Sequence, residues 1–176
     1  GPDGMNMYTQ NRTVLHLHGG VTPWISDGTP HQWITPQGET TPYVQGVSVQ
    51  PVPDMPLPTV GDGTATYYYT NAQSSKMMFY HDHSYGITRL NIYAGEAAGY
   101  ILTDATEESL INRHIIPSGQ GVYRYGIPLI IQDRTFVPPQ AQLVQQDPTW
   151  NWLTSSGSLW FPHVYMPNQN TNLKSG

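Results

Sequence analysis

Two short motifs carry the chemistry this chain can offer: His16-Leu17-His18 and His81-Asp82-His83. Each closes a run of strand character, Thr13 to His18 and Met77 to His83. Side chains two apart on a strand point to one face. Each motif therefore delivers two imidazoles to one side of a sheet, and strands lying side by side would bring four together. Imidazole is a borderline ligand suited to copper or zinc, and its second ring nitrogen needs an acceptor. One His-x-His is commonplace. Two, each ending an apolar run and each followed closely by glycine, point to a metal site. Alternation turns Asp82 away from its neighbours, toward a surface or turn hydrogen bond.

The elements that position these residues read as all-β. Glycine (17) and proline (16) are abundant, tyrosine and tryptophan exceed phenylalanine, and charged residues are only 11%, a loop-rich composition around aromatic and β-branched runs. The 176 residues suffice for one domain. A net charge of -5 with no basic cluster argues against nucleic acid or an anionic membrane as partner. No apolar run approaches the ~20 residues that span a bilayer. Cysteine is absent, which removes disulfides and thiolate metal sites. Gly1-Pro2-Asp3-Gly4 resembles no secretory leader, so the chain is expected to begin inside a longer precursor or to be an excised piece.

Strands are expected at 13–18, at about 43–49, at 64–70, at 77–82 after a hairpin loop at 71–76, at 98–103 and, buried, at 127–133. Prolines 51, 53, 56 and 58 exclude a central strand between them. A short helix or wrap is expected over 84–95 between Gly86 and Gly95. Another is expected over 107–112, capped by Asp104 or Thr106 with Glu107 and Glu108 in its first turn. From Val137 onward no period is sustained, so 1–136 reads as the domain and 137–176 as an irregular extension or linker. There is no internal repeat.

Several stretches resemble the multicopper oxidases, the laccases and bilirubin oxidases, and most of all the spore-coat laccase type. They are Leu15-His16-Leu17-His18-Gly19-Gly20-Val21-Thr22-Pro23, Ser26-Asp27-Gly28, Phe79-Tyr80-His81-Asp82-His83, Thr88-Arg89-Leu90-Asn91-Ile92-Tyr93-Ala94-Gly95 and Ile127 to Arg134, in family order over roughly 13–136. The resemblance implies a cupredoxin-like Greek-key β-barrel or sandwich. It implies that His16 binds type 2 copper and that His18, His81 and His83 bind the type 3 pair. It implies that Asp27 relays protons as O2 is reduced to water, although Ser-Asp-Gly also suits an Asx-turn. The intact enzyme would oxidise phenols, aromatic amines or metal ions.

The chain also departs from the family. That family draws its cluster histidines half from the first domain and half from the last, and the later motifs, His-Pro-x-His-x-His and His-Cys-His, are absent here. Without cysteine, no type 1 copper can form within the chain. The family's first strands are missing too. Unclosed, such a domain is expected to self-associate or to pair with the remaining polypeptide, one form being a homo-oligomer that shares copper between copies. A copper- or zinc-binding module without redox turnover, and an inert remnant, are the competing readings. The family's habits suggest a secreted or periplasmic setting. His31, His114 and His163 read as structural, Met77 and Met78 as strand packing, Tyr67 to Tyr69 as alternating packing, and Arg89 as an anchor for the wrap after His83.

Overall fold

The computed structural model describes residues 8–121, 124, 126–149 and 156–159. The chain divides into two compact units, Gly1–Ile130 and Ile131–Gly176. The first holds an open antiparallel sheet of three strands in the order β1-β2-β3: β1 Leu15–His18, β2 Lys76–Asp82 and β3 Ala97–Leu102. Around it lie the short helices α1, Thr88–Ala94, and α2, Ala105–Asn112. The all-β expectation holds in that the sheet is the organising element.

Period-two alternation builds both faces of this sheet. Leu17 lies opposite Tyr80, and Met78 opposite Tyr100. Leu17, Met78 and Leu102 form a buried cluster, with Tyr69, Tyr80 and Tyr100 packed against it. The other face carries His16, His18, Phe79 and His81 from β1 and β2. The register sets His16 opposite His81 and His18 opposite Phe79.

A second knot of packing supports the start of β1. Trp33 is 1% exposed and takes Tyr8 edge-on at 5.0 Å. The Arg12 guanidinium lies 5.6 Å from the Trp33 ring and 5.4 Å from that of Tyr8, a cation–π arrangement. Thr13 and Ile34 exchange backbone hydrogen bonds of 3.0 and 2.9 Å.

Both helices form where expected. Asp104 caps α2: its Oδ1 accepts from the Glu107 amide at 2.8 Å, while its Oδ2 accepts from the Ser75 amide at 2.9 Å. Gly95 ends α1 at φ 126°, donating to Asn91 and Ile92. Arg89, expected to anchor this wrap, lies exposed. Thr88 Oγ1 bonded to the Ser84 carbonyl, and Asn91 Nδ2 bonded to that of Arg12, hold it instead.

Three expected strands differ. Of residues 64–70 only 67–70 alternate in burial, and no backbone ladder forms there. The Tyr68 amide donates to Ser26 Oγ at 2.8 Å, and the Tyr67 hydroxyl accepts from the Leu15 amide at 3.1 Å. Side chains thus take the place of a neighbouring strand, and 71–76 closes no hairpin. The stretch 43–49 contributes a single bridge, Gln45 to Ile34. Residues 127–133 run without a ladder and lie largely exposed, Ile131 at 95%. Their composition suits a strand buried on both faces, but the neighbours such burial needs are not among the described residues.

In the second unit, α3 forms at Gln140–Gln146 with Leu143 buried. Its one anchoring apolar position leaves too weak a period to read in advance. The expectations on Trp150, Trp152, Trp160 and His163 lie outside the described residues.

Candidate metal centre

The four histidines of the two motifs converge. Donor atoms of His16, His18 and His81 lie within 4.8 Å of one another. The His83 ring sits 4.9 Å from that of His16 and 5.8 Å from that of His81. His81 is 7% exposed, whereas His18 is open to solvent. His83 follows the end of β2, and its amide donates to the Val14 carbonyl at 3.1 Å, extending the pairing by one step.

Backbone carbonyls fix two of the rings. His16 Nδ1 faces the Asp27 carbonyl oxygen at 2.6 Å, and His81 Nδ1 faces the Asp82 carbonyl oxygen at 2.7 Å. A carbonyl only accepts, so in both rings Nδ1 carries the proton and Nε2 presents a lone pair. His81 Nε2 lies 3.3 Å from His18 Nδ1. Two nitrogens bound tetrahedrally to one ion at about 2.0–2.1 Å would themselves lie about 3.3 Å apart, so this pair is spaced for a metal. His83 Nδ1 is buried with no hydrogen-bond partner. Burial, then the neighbouring His16 and His81, hold the His83 imidazole below its ordinary pKa against the opposing pull of Asp82 and Asp27. The ring is therefore kept neutral, the form that ligates metal.

Asp27 reaches His16 twice. Its carbonyl accepts from Nδ1, and its carboxylate Oδ1 lies 3.6 Å from the same nitrogen. Thr22 Oγ1 donates to that carboxylate oxygen at 3.0 Å. The approach depends on Gly28, at φ 70°, where a Cβ would run into the Leu15 backbone.

Asp82 faces away from the histidines, as alternation requires, but toward the interior rather than the surface. It is 1% exposed. Its Oδ1 accepts from Val14 N at 3.0 Å, Thr13 Oγ1 at 3.1 Å and Ser84 Oγ at 2.6 Å, while its Oδ2 accepts from Ser84 N at 3.0 Å. Sequence reasoning also missed Phe79, which stacks on His18 at 4.8 Å and on His81 at 5.2 Å. Its position two before His81 put it on the histidine face and was the available signal. His31 stacks on Tyr85, and His114 follows the end of α2; neither joins the cluster.

Paired imidazoles from adjacent strands, two of them with Nδ1 bound to a backbone carbonyl, are a donor set suited to a borderline ion such as copper or zinc. No protein-family model matches the chain. It is 40% identical over 126 residues to a laccase of Bacillus stratosphericus, covering 71% of this chain and 20% of that protein. It is 37% identical over 134 residues to a laccase of Bacillus subtilis (strain 168), covering 76% of this chain and 21% of that one. A solved structure, the 2F4 variant of the McoA multicopper oxidase from Aquifex aeolicus, aligns over 89% of this chain and 24% of its own, at 24% identity and a TM-score of 0.49. The chain belongs to the multicopper oxidase family. It spans about a fifth of the length of the laccases it matches.

Proposed function

We propose that this chain supplies half of the type 2/type 3 copper cluster of a laccase-like multicopper oxidase, an enzyme that reduces O2 to water while oxidising phenolic or similar substrates. The observation that carries the reading is the set of three imidazole donors within 4.8 Å, two of them with Nδ1 committed to a backbone carbonyl. His83, its Nδ1 without a hydrogen-bond partner, stands beside this set with its ring 4.9 Å from that of His16. In this reading His16 holds type 2 copper, and His18, His81 and His83 hold the type 3 pair. Bound copper supplies the one-electron chemistry. The chain's own residues orient the rings, and the Asp27 carboxylate, whose Oδ1 accepts from the Thr22 hydroxyl and stands 3.6 Å from His16 Nδ1, is the group placed to relay protons.

Residues 1–136 form the cupredoxin-like part of this proposal, and 137–176 lead toward a following domain. The rest of the cluster comes from polypeptide beyond this chain or from another copy, and the type 1 copper that takes electrons from substrate comes from a cysteine-bearing polypeptide other than this one. No helix among the described residues is long and apolar enough to cross a membrane, and a secreted or periplasmic setting fits the family.

Copper per chain after reconstitution, measured on fractions sorted by size, tests the proposal. We expect copper near or above one per chain, lost in a His16→Ala/His81→Ala double variant. Metal near zero in every fraction overturns it. A second reading, a zinc module without redox chemistry, draws on the 3.3 Å His18–His81 spacing. It predicts tight, stoichiometric zinc binding by this chain alone, with no O2 reduction when copper takes the zinc's place.

A further inference from the structure

The Asp82 side chain bonds to none of the four histidines, yet it ties together the segments that carry them. Its carboxylate is almost fully buried and takes four contacts from three residues, the Thr13 hydroxyl among them dividing its one proton between Asp82 and the nearer Glu96 Oε2 at 2.7 Å. Two of these come from the segment that enters β1: Val14 through its amide and Thr13 through its hydroxyl. Two come from Ser84, just past His83. The Asp82 amide donates to the Glu96 carbonyl at 3.1 Å, at the entry to β3.

These bonds lie where the β1–β2 register runs out. The last paired residues are Leu15 and Asp82. One step further, the Val14 amide is bound by the Asp82 carboxylate, and the Val14 carbonyl by the His83 amide. The carboxylate therefore fixes the distance between the strand bearing His16 and the segment bearing His83. It also pins its own main chain, and the carbonyl of that main chain is the acceptor for His81 Nδ1. One side chain thus governs the ring orientation of His81 and the spacing between the two histidine pairs.

We propose that Asp82 is the positioning residue of the metal centre, setting which His81 nitrogen faces the ion and how far apart the two pairs stand. The proposal deepens the copper reading and rests on it. Asp82→Asn is the discriminating change. It keeps the shape and three of the four acceptor contacts, but sets an amide N–H against the Ser84 amide, where only an acceptor can serve. Ser84→Ala is the milder variant, removing one donor and leaving the carboxylate in place.

The test uses the full chain with Cu(II) alone as probe. Affinity and the electron paramagnetic resonance spectrum are recorded for the wild type, Asp82→Asn, Ser84→Ala and Val52→Ala, the last a buried apolar change outside the hydrogen bonds of Asp82. We expect ~10–100-fold weaker copper binding and an altered resonance spectrum in Asp82→Asn. A smaller change of the same kind is expected in Ser84→Ala, with wild-type values in Val52→Ala. Long-range 1H–15N imidazole spectra of the metal-free chain give a readout independent of copper. His81 should hold its proton on Nδ1 in the wild type and as a mixture of tautomers in Asp82→Asn. Unchanged tautomer and unchanged copper spectrum in both variants overturn the proposal. So does an equal loss of affinity in Val52→Ala, which would make the effect one of general stability. A wild-type chain that binds no copper removes the copper reading, and the tautomer comparison still decides the role of Asp82.

Discussion

Gly28 lies against the backbone of Leu15 so closely that a side chain there would occupy the place of the Leu15 carbonyl. This contact lets the Asp27 carbonyl reach His16 Nδ1 at 2.6 Å. Gly28→Ala should therefore act on both stability and the metal centre. The left-handed backbone, at φ 70°, alone costs an alanine roughly 1–2 kcal/mol, and relief of the clash adds to that. Urea unfolding would show the lower midpoint. A variant as stable as wild type would mean that the loop closes on β1 without needing this approach.

Trp33 anchors the segment that feeds β1. It is 1% exposed, with Tyr8 packed on its ring and Arg12 over it. Trp33→Ala should cost about 3–5 kcal/mol, the range for large buried aromatics. Thermal or urea denaturation measures this directly, and a loss under about 1 kcal/mol would contradict the packing described.

Tyr69 has a buried hydroxyl with no hydrogen-bond partner. Burial first, and then neighbouring groups led by Tyr67, push its pKa up to about 12. An unfolded tyrosine ionises near 10. Between those values the unfolded chain releases a proton that the folded chain retains, so stability falls as pH rises through this window. Tyr69→Phe should remove that component of the alkaline decline. At neutral pH it should sit within about 1 kcal/mol of wild type, because the lost hydroxyl satisfied nothing. Melting curves from pH 8 to 12 on both proteins make the comparison.

Asp104 titrates at the other end of the scale. Hydrogen bonds from the Glu107 amide, and next from that of Ser75, hold its carboxyl below the ordinary value of 3.8. The cap's contribution to stability is present above that value and disappears as pH falls through the lower, folded one. Asp104→Ala should melt lower than wild type at pH 6, and the gap should close in strong acid. A gap that persists unchanged at pH 2 would mean that the carboxylate is not what caps α2.

The histidine face was legible because it depends on the shortest-range rule available. Leu15 to His18 alternate, Met77 to His83 alternate, and period two alone sorts imidazoles from core side chains. The cap at Asp104 and the stop at Gly95 were legible for the same reason. Other features rest on contacts remote in sequence. Nothing near Asp82 announces that the opposite face would be packed, so its turn role could be read but its burial could not. Tyr67 to Tyr69 alternate like a strand, yet whether they pair with another strand is decided by Ser26 and Leu15. The apolar run at 127–133 reads as interior from its composition alone, and burying it requires neighbours that composition does not supply.

His18 is exposed, whereas His81, on the strand beside it, is buried. This asymmetry has a kinetic meaning. An ion held among these rings would have one ligand open to solvent, two partly covered and one buried. Exchange would begin with His18 letting go, and a chelator would need only to capture that moment. Covering His18 would slow release without adding a bond to the metal, so residence time at this centre can be tuned from outside it.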